Sequence, residues 1–338
     1  MRVNLFLLVI LMVCCACESD EKRRDRFFQM GNKALEQKDF SGAIDLYNES
    51  LEADGRYAYA LNNRGVAKME SDQPYEAILD YNQAILLDAA YIDALFNRAN
   101  AYESIGKYDK SLKDISVLLN IKKDSAFVHF FRGLILTKLK NYDDALESFT
   151  TADSLNPFNA ETIINKATIF YFKNDLDKAV DELSKAFDLA PDNANASNLM
   201  SLIHLKKNNQ MAALVEINRA LDEVPDEPYF LNNRGFIHLQ MDSLDLAIQD
   251  IDRSILLNPN NGWAYRNKGI FYMKRADYKQ AIRLFKRAID EPDFIDEVFY
   301  YLGLAYEQSG DRTQACESWY QGVAQNESAS VQMIKACD

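Results

Sequence analysis

An all-α solenoid is predicted by three observations. The pentapeptide LNNRG occurs twice, at Leu61–Gly65 and Leu231–Gly235, and its glycines lie 170 residues apart, which is five steps of 34. Stepping by 34 from Gly31 meets only small residues: Gly65, Ala99, Gly133, Ala167, Ser201, Gly235, Gly269 and Gly303. Twelve residues later a second file runs through Ala43, Ala77, Ser111, Ala145, Ala179, Ala213, Ala247, Ala281 and Ala315. Nine units thus keep one frame without insertion or deletion, the mark of a stacked repeat array. The seven prolines form the third observation. With Gly31 counted as position 8, they fall at position 17 (Pro74), 1 (Pro228), 31 (Pro292) and 32 (Pro157, Pro191, Pro225, Pro259), and a helix interior excludes proline.

The nine units are 24–57, 58–91, 92–125, 126–159, 160–193, 194–227, 228–261, 262–295 and 296–329. Each carries two blocks of apolar residues at helical spacing. In unit eight Tyr265, Gly269 and Tyr272 share one face of a first helix, and Ala281, Phe285 and Ala288 share one face of a second. Small residues at positions 8 and 20 let the two helices approach, and the large side chain at 24 fills the space beside them. Residues 330–338 begin a tenth unit that stops after nine residues, barely two turns, and read as a capping helix remnant.

The N-terminus is of another kind. Arg2 is followed by an apolar run from Leu5 to Val13, then Cys14, Cys15, Ala16 and Cys17, and polarity switches at Glu18. The run is too short to span a membrane and reads as an export signal. It resembles a bacterial lipoprotein signal covering residues 1–16, which implies cleavage before Cys17 and a lipid on that cysteine. Cys14 stands where the family has leucine, and Cys15 is the alternative site. The acids Glu18, Asp20 and Glu21 around Ser19 are similar to the surface-export signal of some outer-membrane lipoproteins. Residues 17–23 are expected to be a charged tether holding the folded body near the membrane, with the periplasmic and surface faces both open.

Composition removes one class of partner. A formal charge of −13 lacks the basic footprint that nucleic acid demands.

The 34-residue pattern resembles the tetratricopeptide repeat, with a large residue at 4, Gly or Ala at 8, Tyr at 11, Ala at 20, an aromatic or large apolar residue at 24, Ala at 27 and Pro at 32. Unit three departs at Ser111 and Leu118. Units one to three, eight and nine lack the proline. The resemblance implies a right-handed superhelix whose first helices line a concave groove at positions 2, 5, 9, 12 and 13. On those positions or beside them stand the candidate partner-binding residues: Tyr59, Asn62, Asn63, Phe96, Asn97, Phe127, Phe130, Leu134, Tyr229, Asn232, Asn233, Phe236, Trp263, Arg266 and Tyr300. Rings there suit apolar side chains and amides suit a peptide backbone, and Arg266 suits a carboxylate. Packing against neighbouring helices is the other use of the same residues. The carboxylate-clamp subfamily needs cations where this chain has Phe28, Asp93 and Asn97, so that function is not expected.

No catalytic or metal motif stands outside the repeat pattern. The histidines, His129 at position 4 and His204 and His238 at position 11, occupy packing positions, and acids such as Asp143 and Asp144 begin helices, where the dipole favours them. The chain is therefore expected to be a membrane-anchored scaffold without cofactor, metal or catalysis that binds a protein or peptide in envelope assembly. A glycan-binding receptor or polysaccharide assembly factor, stacking sugars on Tyr229, Trp263 and Tyr300, is the alternative.

Two further expectations follow from the frame. Position 7 carries Arg64, Arg98, Arg132, Lys166, Arg234 and Lys268, and four of these face an acid sixteen residues on (Asp80, Asp114, Glu182, Asp250), which predicts cross-helix ion pairs and leaves the asparagines of LNNRG for recognition. Cys316 at position 21 and Cys337 at position 8 lie opposite across the final turn of an antiparallel pair. A disulfide there would staple the cap in an oxidising compartment; two buried thiols are the alternative.

Overall fold

The computed structural model describes residues 19–291 and 295–337. The signal segment, Cys14, Cys15 and Cys17, together with Pro292 and Asp338, lies outside the described residues. The chain divides into two compact units, up to Phe158 and from Asn159. In the first, helices pair as α1 (Asp20–Glu36) with α2 (Phe40–Ala53), α3 (Ala58–Glu70) with α4 (Pro74–Leu87), α5 (Ile92–Ser104) with α6 (Tyr108–Ile121), and α7 (Ala126–Lys138) with α8 (Tyr142–Leu155). In the second, α9 (Ala160–Phe172) pairs with α10 (Leu176–Leu189), α11 (Ala194–Lys206) with α12 (Gln210–Glu223), α13 (Pro228–Gln240) with α14 (Leu244–Leu257), α15 (Gly262–Lys274) with α16 (Tyr278–Ile289), and α17 (Val298–Gln308) with α18 (Arg312–Ala324). The short α19 (Ser328–Met333) and a 3₁₀ turn at Ile334–Ala336 close the array. Among the described residues there is no strand, and the fold class is the predicted all-α solenoid.

One prediction is corrected at each end. The charged stretch read as a tether is helical from Asp20, because Ser19 caps the helix by accepting from the Lys22 N–H. Arg23 then pairs with Glu49 on α2 at 2.6 Å, and Arg24 reaches Asp54, just past the end of α2, at 3.3 Å. A charged sequence next to opposite charges on a neighbouring helix extends the helix, where the same sequence alone would read as solvated linker. At the other end the capping helix starts at Ser328, two residues earlier than the frame suggests.

The turn within each pair has one conformation throughout. Position 15 is left-handed in all nine units: Lys38, Asp72, Gly106, Lys140, Asn174, Asn208, Asp242, Ala276 and Gly310. Glycine, asparagine and aspartate adopt this helix-ending conformation most readily. The next residue starts the second helix, where Asp39, Asp175, Asn209, Asp277 and Asp311 each accept a hydrogen bond from a first-turn N–H.

Packing explains both small-residue files. Every residue of the position 20 file, Ala43 to Ala315, has no solvent exposure. At position 8 the choice of glycine follows its partner at 24. Gly31, Gly65, Gly133, Gly269 and Gly303 lie beneath Tyr47, Tyr81, Phe149, Phe285 and Trp319, and a Cβ on any of them would intrude on the ring. Where position 24 is aliphatic the small residue can carry a side chain, as in Ala99 with Ile115, Ala167 with Leu183 and Ser201 with Ile217. Gly235 above Ile251 departs from this rule: a Cβ there would also come within 3.2 Å of the Ala247 carbonyl oxygen. Unit three, atypical in sequence, packs like the others, with Ser111 and Leu118 buried.

Candidate functional site

The position 7 cations build the walls behind the first-helix face. Arg64 donates to both oxygens of Asp80 (2.9 and 2.6 Å), Arg98 to both of Asp114 (2.8 and 2.6 Å) and Arg234 to both of Asp250 (2.7 and 2.8 Å). Lys166 lies 3.2 Å from Glu182. The remaining guanidinium nitrogen of each arginine reaches back one unit, to Asn48, Asn82 and Asn218. Each of these three arginines therefore ties its own second helix to the preceding one. The acids are buried, with the Asp80 side chain 5% exposed, so these are stronger than solvent-facing pairs. Hydrogen bonds to the carboxylates push the Arg98 and Arg234 guanidinium values up, against the opposing effect of burial.

The amides expected to be free for recognition are bonded to one another. Asn97 donates to Asn62 (3.0 Å), Asn62 to Asn63 (3.0 Å) and Asn63 to Asn32 (2.9 Å), where the Tyr47 hydroxyl also donates (2.8 Å). The second unit repeats the device, with Asn267 donating to Asn232 (2.8 Å), Asn232 to Asn233 (3.5 Å) and Asn233 to Asn198 (2.8 Å). Asn62 and Asn232 are buried. An amide has both donor and acceptor, so asparagines at positions 5, 6 and 9 can chain from repeat to repeat. These ladders fix the first helices to each other, so part of each amide's bonding capacity is taken up within the chain.

What remains open is aromatic. In the first unit Phe28 meets Tyr57 (centroids 5.1 Å apart), Tyr57 meets Tyr59 (5.7 Å) and Tyr59 meets Tyr91 (5.5 Å). Arg24 lies over Tyr57 at 4.5 Å. Further along, Phe96 contacts Phe127 at 4.9 Å and Phe131 at 5.2 Å. Tyr59 is 57% and Phe127 59% exposed. Phe130 and Leu134 are half-buried, and Phe130 packs on the core ring of Phe149. Tyr57 and Tyr91 belong to this strip and were missed by the lining positions. The signal for them is a tyrosine at position 34 in the first two units, where later units carry Ser, Asn, Glu, Ile or Ala.

In the second unit Tyr229 is exposed, while Trp263, Phe236, Asn233 and Tyr300 are half-buried. Arg266 cannot meet an incoming carboxylate. It is buried, donates to Asn267 Oδ1 (3.0 Å) and the Asp296 carbonyl (2.8 Å), and lies 4.8 Å from the Trp263 ring and 5.2 Å from Phe236. Burial drives its pKa down despite the acids around it. The guanidinium ends the amide ladder and seats the entry to α17. Among the described residues no three His, Cys, Asp or Glu are grouped to hold a metal ion, and no helix is long and apolar enough to cross a membrane.

Family models for the tetratricopeptide repeat match residues 136–203, 228–261 and 266–330. This chain is a tetratricopeptide repeat protein. Solved structures with the same fold include the APC/C hetero-tetramer Cut9-Hcn1 (14% identity, TM-score 0.62), whose match covers 92% of this chain and 75% of that one. PilF of Pseudomonas aeruginosa is similar at 17% identity and TM-score 0.52, over 62% of this chain and 96% of its own. A tetratricopeptide repeat protein from Parabacteroides merdae matches at 17% identity and TM-score 0.49, over 84% and 99%. No curated protein matches the sequence.

The tetratricopeptide array closes with its own devices. Cys316 and Cys337 are joined by a disulfide, with Cα atoms 5.7 Å apart, and pack with Met333 and Ile334 on the core around Trp319. Glu327 takes position 32, where four units carry proline. Its buried carboxylate accepts from the Phe299 and Tyr300 N–H groups (3.1 and 3.0 Å) and from Ser330 (2.9 Å), and so caps α17, whose preceding residue makes no side-chain cap. Burial pushes the Glu327 pKa up, against the pull of those bonds.

Proposed function

We propose that this protein is a lipid-anchored, non-catalytic scaffold of the cell envelope that holds a protein or peptide partner on the first-helix face. The carrying observation is the aromatic strip of the first unit, where Tyr59 stays exposed on a face fixed by a hydrogen-bonded amide ladder and Phe127 stays exposed against the Phe96 ring. Exposed rings on a rigid support lose little entropy when a partner covers them, and continuous exposed apolar surface marks interaction sites. The peptide reading is favoured over the glycan one, because Arg266 lies over the indole of Trp263 and occupies a face a sugar would need. Anchoring rests on the sequence around Cys17, and the outer membrane is the proposed location.

The test pairs binding with stability. Tyr59→Ala together with Phe127→Ala is expected to remove a stoichiometric partner recovered by cross-linking from intact envelopes, while the melting temperature stays within about 2 °C for exposed side chains. Unchanged recovery would refute the site. Labelled palmitate should enter the wild-type chain and not Cys17→Ser; label retained in that variant refutes lipidation at Cys17.

A further inference from the structure

A second surface lies away from the strip. Helix α4 and the α5–α6 turn enclose a hollow of about 370 Å³, within the range of small-ligand and side-chain pockets, roughly 300–1,000 Å³. Its walls are Tyr75 and Leu79 on α4 and Tyr102 and Ile105 at the end of α5, with Lys107 and Lys110 on the rim. None of the first-helix lining positions contributes to it. Tyr75 and Leu79 are 65% and 64% exposed, one helical turn apart, and form an apolar ledge beside the opening. The turn is firmly built: Gly106 is left-handed and the Lys107 N–H donates to the Tyr102 carbonyl at 2.7 Å.

The rim is at odds with its local structural role. Position 16 precedes the second helix, and in five units an Asp or Asn there caps it; α4, α6, α8 and α14 have no side-chain cap, and unit three places a cation there, Lys107, whose charge opposes the helix dipole. Lys110 follows in the first turn. Its ammonium lies 5.4 Å from the Tyr102 ring, and neither lysine has an ion-pair partner among the described residues. On a chain of net charge −13 these two cations share the lining of the hollow with one acid, Glu76, while Asp109 stands between them in the first turn of α6. A local rule broken without structural return marks a functional position.

We propose that this hollow is a second docking site, for a peptide segment in which a large apolar side chain stands next to one or more carboxylates. The apolar side chain enters between Tyr75, Leu79, Tyr102 and Ile105, and the carboxylate meets Lys107, Lys110 and the uncapped N-terminus of α6. The scaffold can then hold two partners on separate surfaces.

The probe is a displayed library of random heptapeptides selected on the full chain. Enriched peptides are expected to pair an aromatic or long aliphatic residue with Asp or Glu. The best of them, dye-labelled and followed by fluorescence anisotropy, should bind at least tenfold more weakly to Lys107→Asp and to Leu79→Ser. Lys107→Asp restores the helix cap, so its melting temperature should equal or exceed that of the parent, which separates lost binding from lost folding. Tyr59→Ala with Phe127→Ala should leave this binding unchanged, so the test stands apart from the strip. Failure to enrich any such motif, or equal binding to the parent and both variants, overturns the proposal. Saturable binding of dodecanoate with no peptide binding would assign the hollow to an acyl chain instead and overturn it as well.

Discussion

Replacing Gly65 by alanine should destabilise the protein although alanine is the better helix former. A Cβ at Gly65 would lie 2.5, 2.9 and 3.0 Å from Cε1, Cζ and Cδ1 of Tyr81. Comfortable carbon contacts need about 3.5–4.0 Å, so the ring must retreat by about 1 Å. Tyr81 is 1% exposed, so the ring would retreat into its packed neighbours and not into solvent. Overpacking of this kind costs about 1–3 kcal/mol, and the helix-propensity gain returns about 1 kcal/mol. The net loss is about 0–2 kcal/mol, centred near 1 kcal/mol. Tyr81→Ile alone should cost about 2–4 kcal/mol through the cavity it leaves. The double variant recreates the pair found at Ala99 and Ile115 and should be no less stable than Tyr81→Ile, giving a favourable coupling that matches the Gly65→Ala loss, about 1 kcal/mol. Urea unfolding followed by far-ultraviolet circular dichroism measures each midpoint, with the slope checked for constancy. A Gly65→Ala protein as stable as the parent, or strictly additive losses, refutes the reasoning.

Three other outcomes are expected. Asp80→Asn leaves Arg64 and Lys68 facing a neutral amide, with Lys68 2.7 Å from the original carboxylate, and should cost on the order of 2 kcal/mol in urea unfolding; loss of well under 1 kcal/mol would show that the pairs behave like solvent-exposed ones. Reducing the Cys316–Cys337 bond, which spans 21 residues, should remove about 3 kcal/mol and speed amide exchange first between Arg312 and Cys337; exchange that is uniform along the chain would contradict a local staple. Burial holds His238 below the ordinary histidine value of 6.5, with Asp250 acting the other way. The unfolded chain therefore takes up that proton first as pH falls, so stability should rise with pH across the interval just below 6.5 and level off above it. His238→Phe should flatten that rise, and an unchanged slope would place its cause elsewhere.

The sites were less legible than the array. Arg64, Arg98 and Arg234 could be paired with their acids from spacing alone, because sixteen residues carry the chain from one helix across a fixed turn to the next. The asparagines could not be assigned so. Asn62 and Asn97 are thirty-five residues apart, and whether an amide turns toward the next repeat or toward solvent depends on how neighbouring units are seated. Arg266 is illegible for the same reason, since the Asp296 carbonyl comes from the turn before α17 and the Phe236 and Tyr301 rings from neighbouring helices. Tyr75 and Leu79 attract no notice in sequence, because an exposed apolar pair counts only once Tyr102 and the Lys107 turn complete the hollow.

The amino-acid sequence by itself determined the repeat length, the frame, the helix pairs and the residues at their closest approach. All of these are local: a 34-residue period, proline excluded from helix interiors and small residues at two positions act within one unit and its turn. Only the tertiary structure decided which polar side chains are spent on holding units together and which surfaces are left for partners. An amide or guanidinium has several possible bonds and takes those that burial offers, and burial is set by neighbours the local pattern does not name.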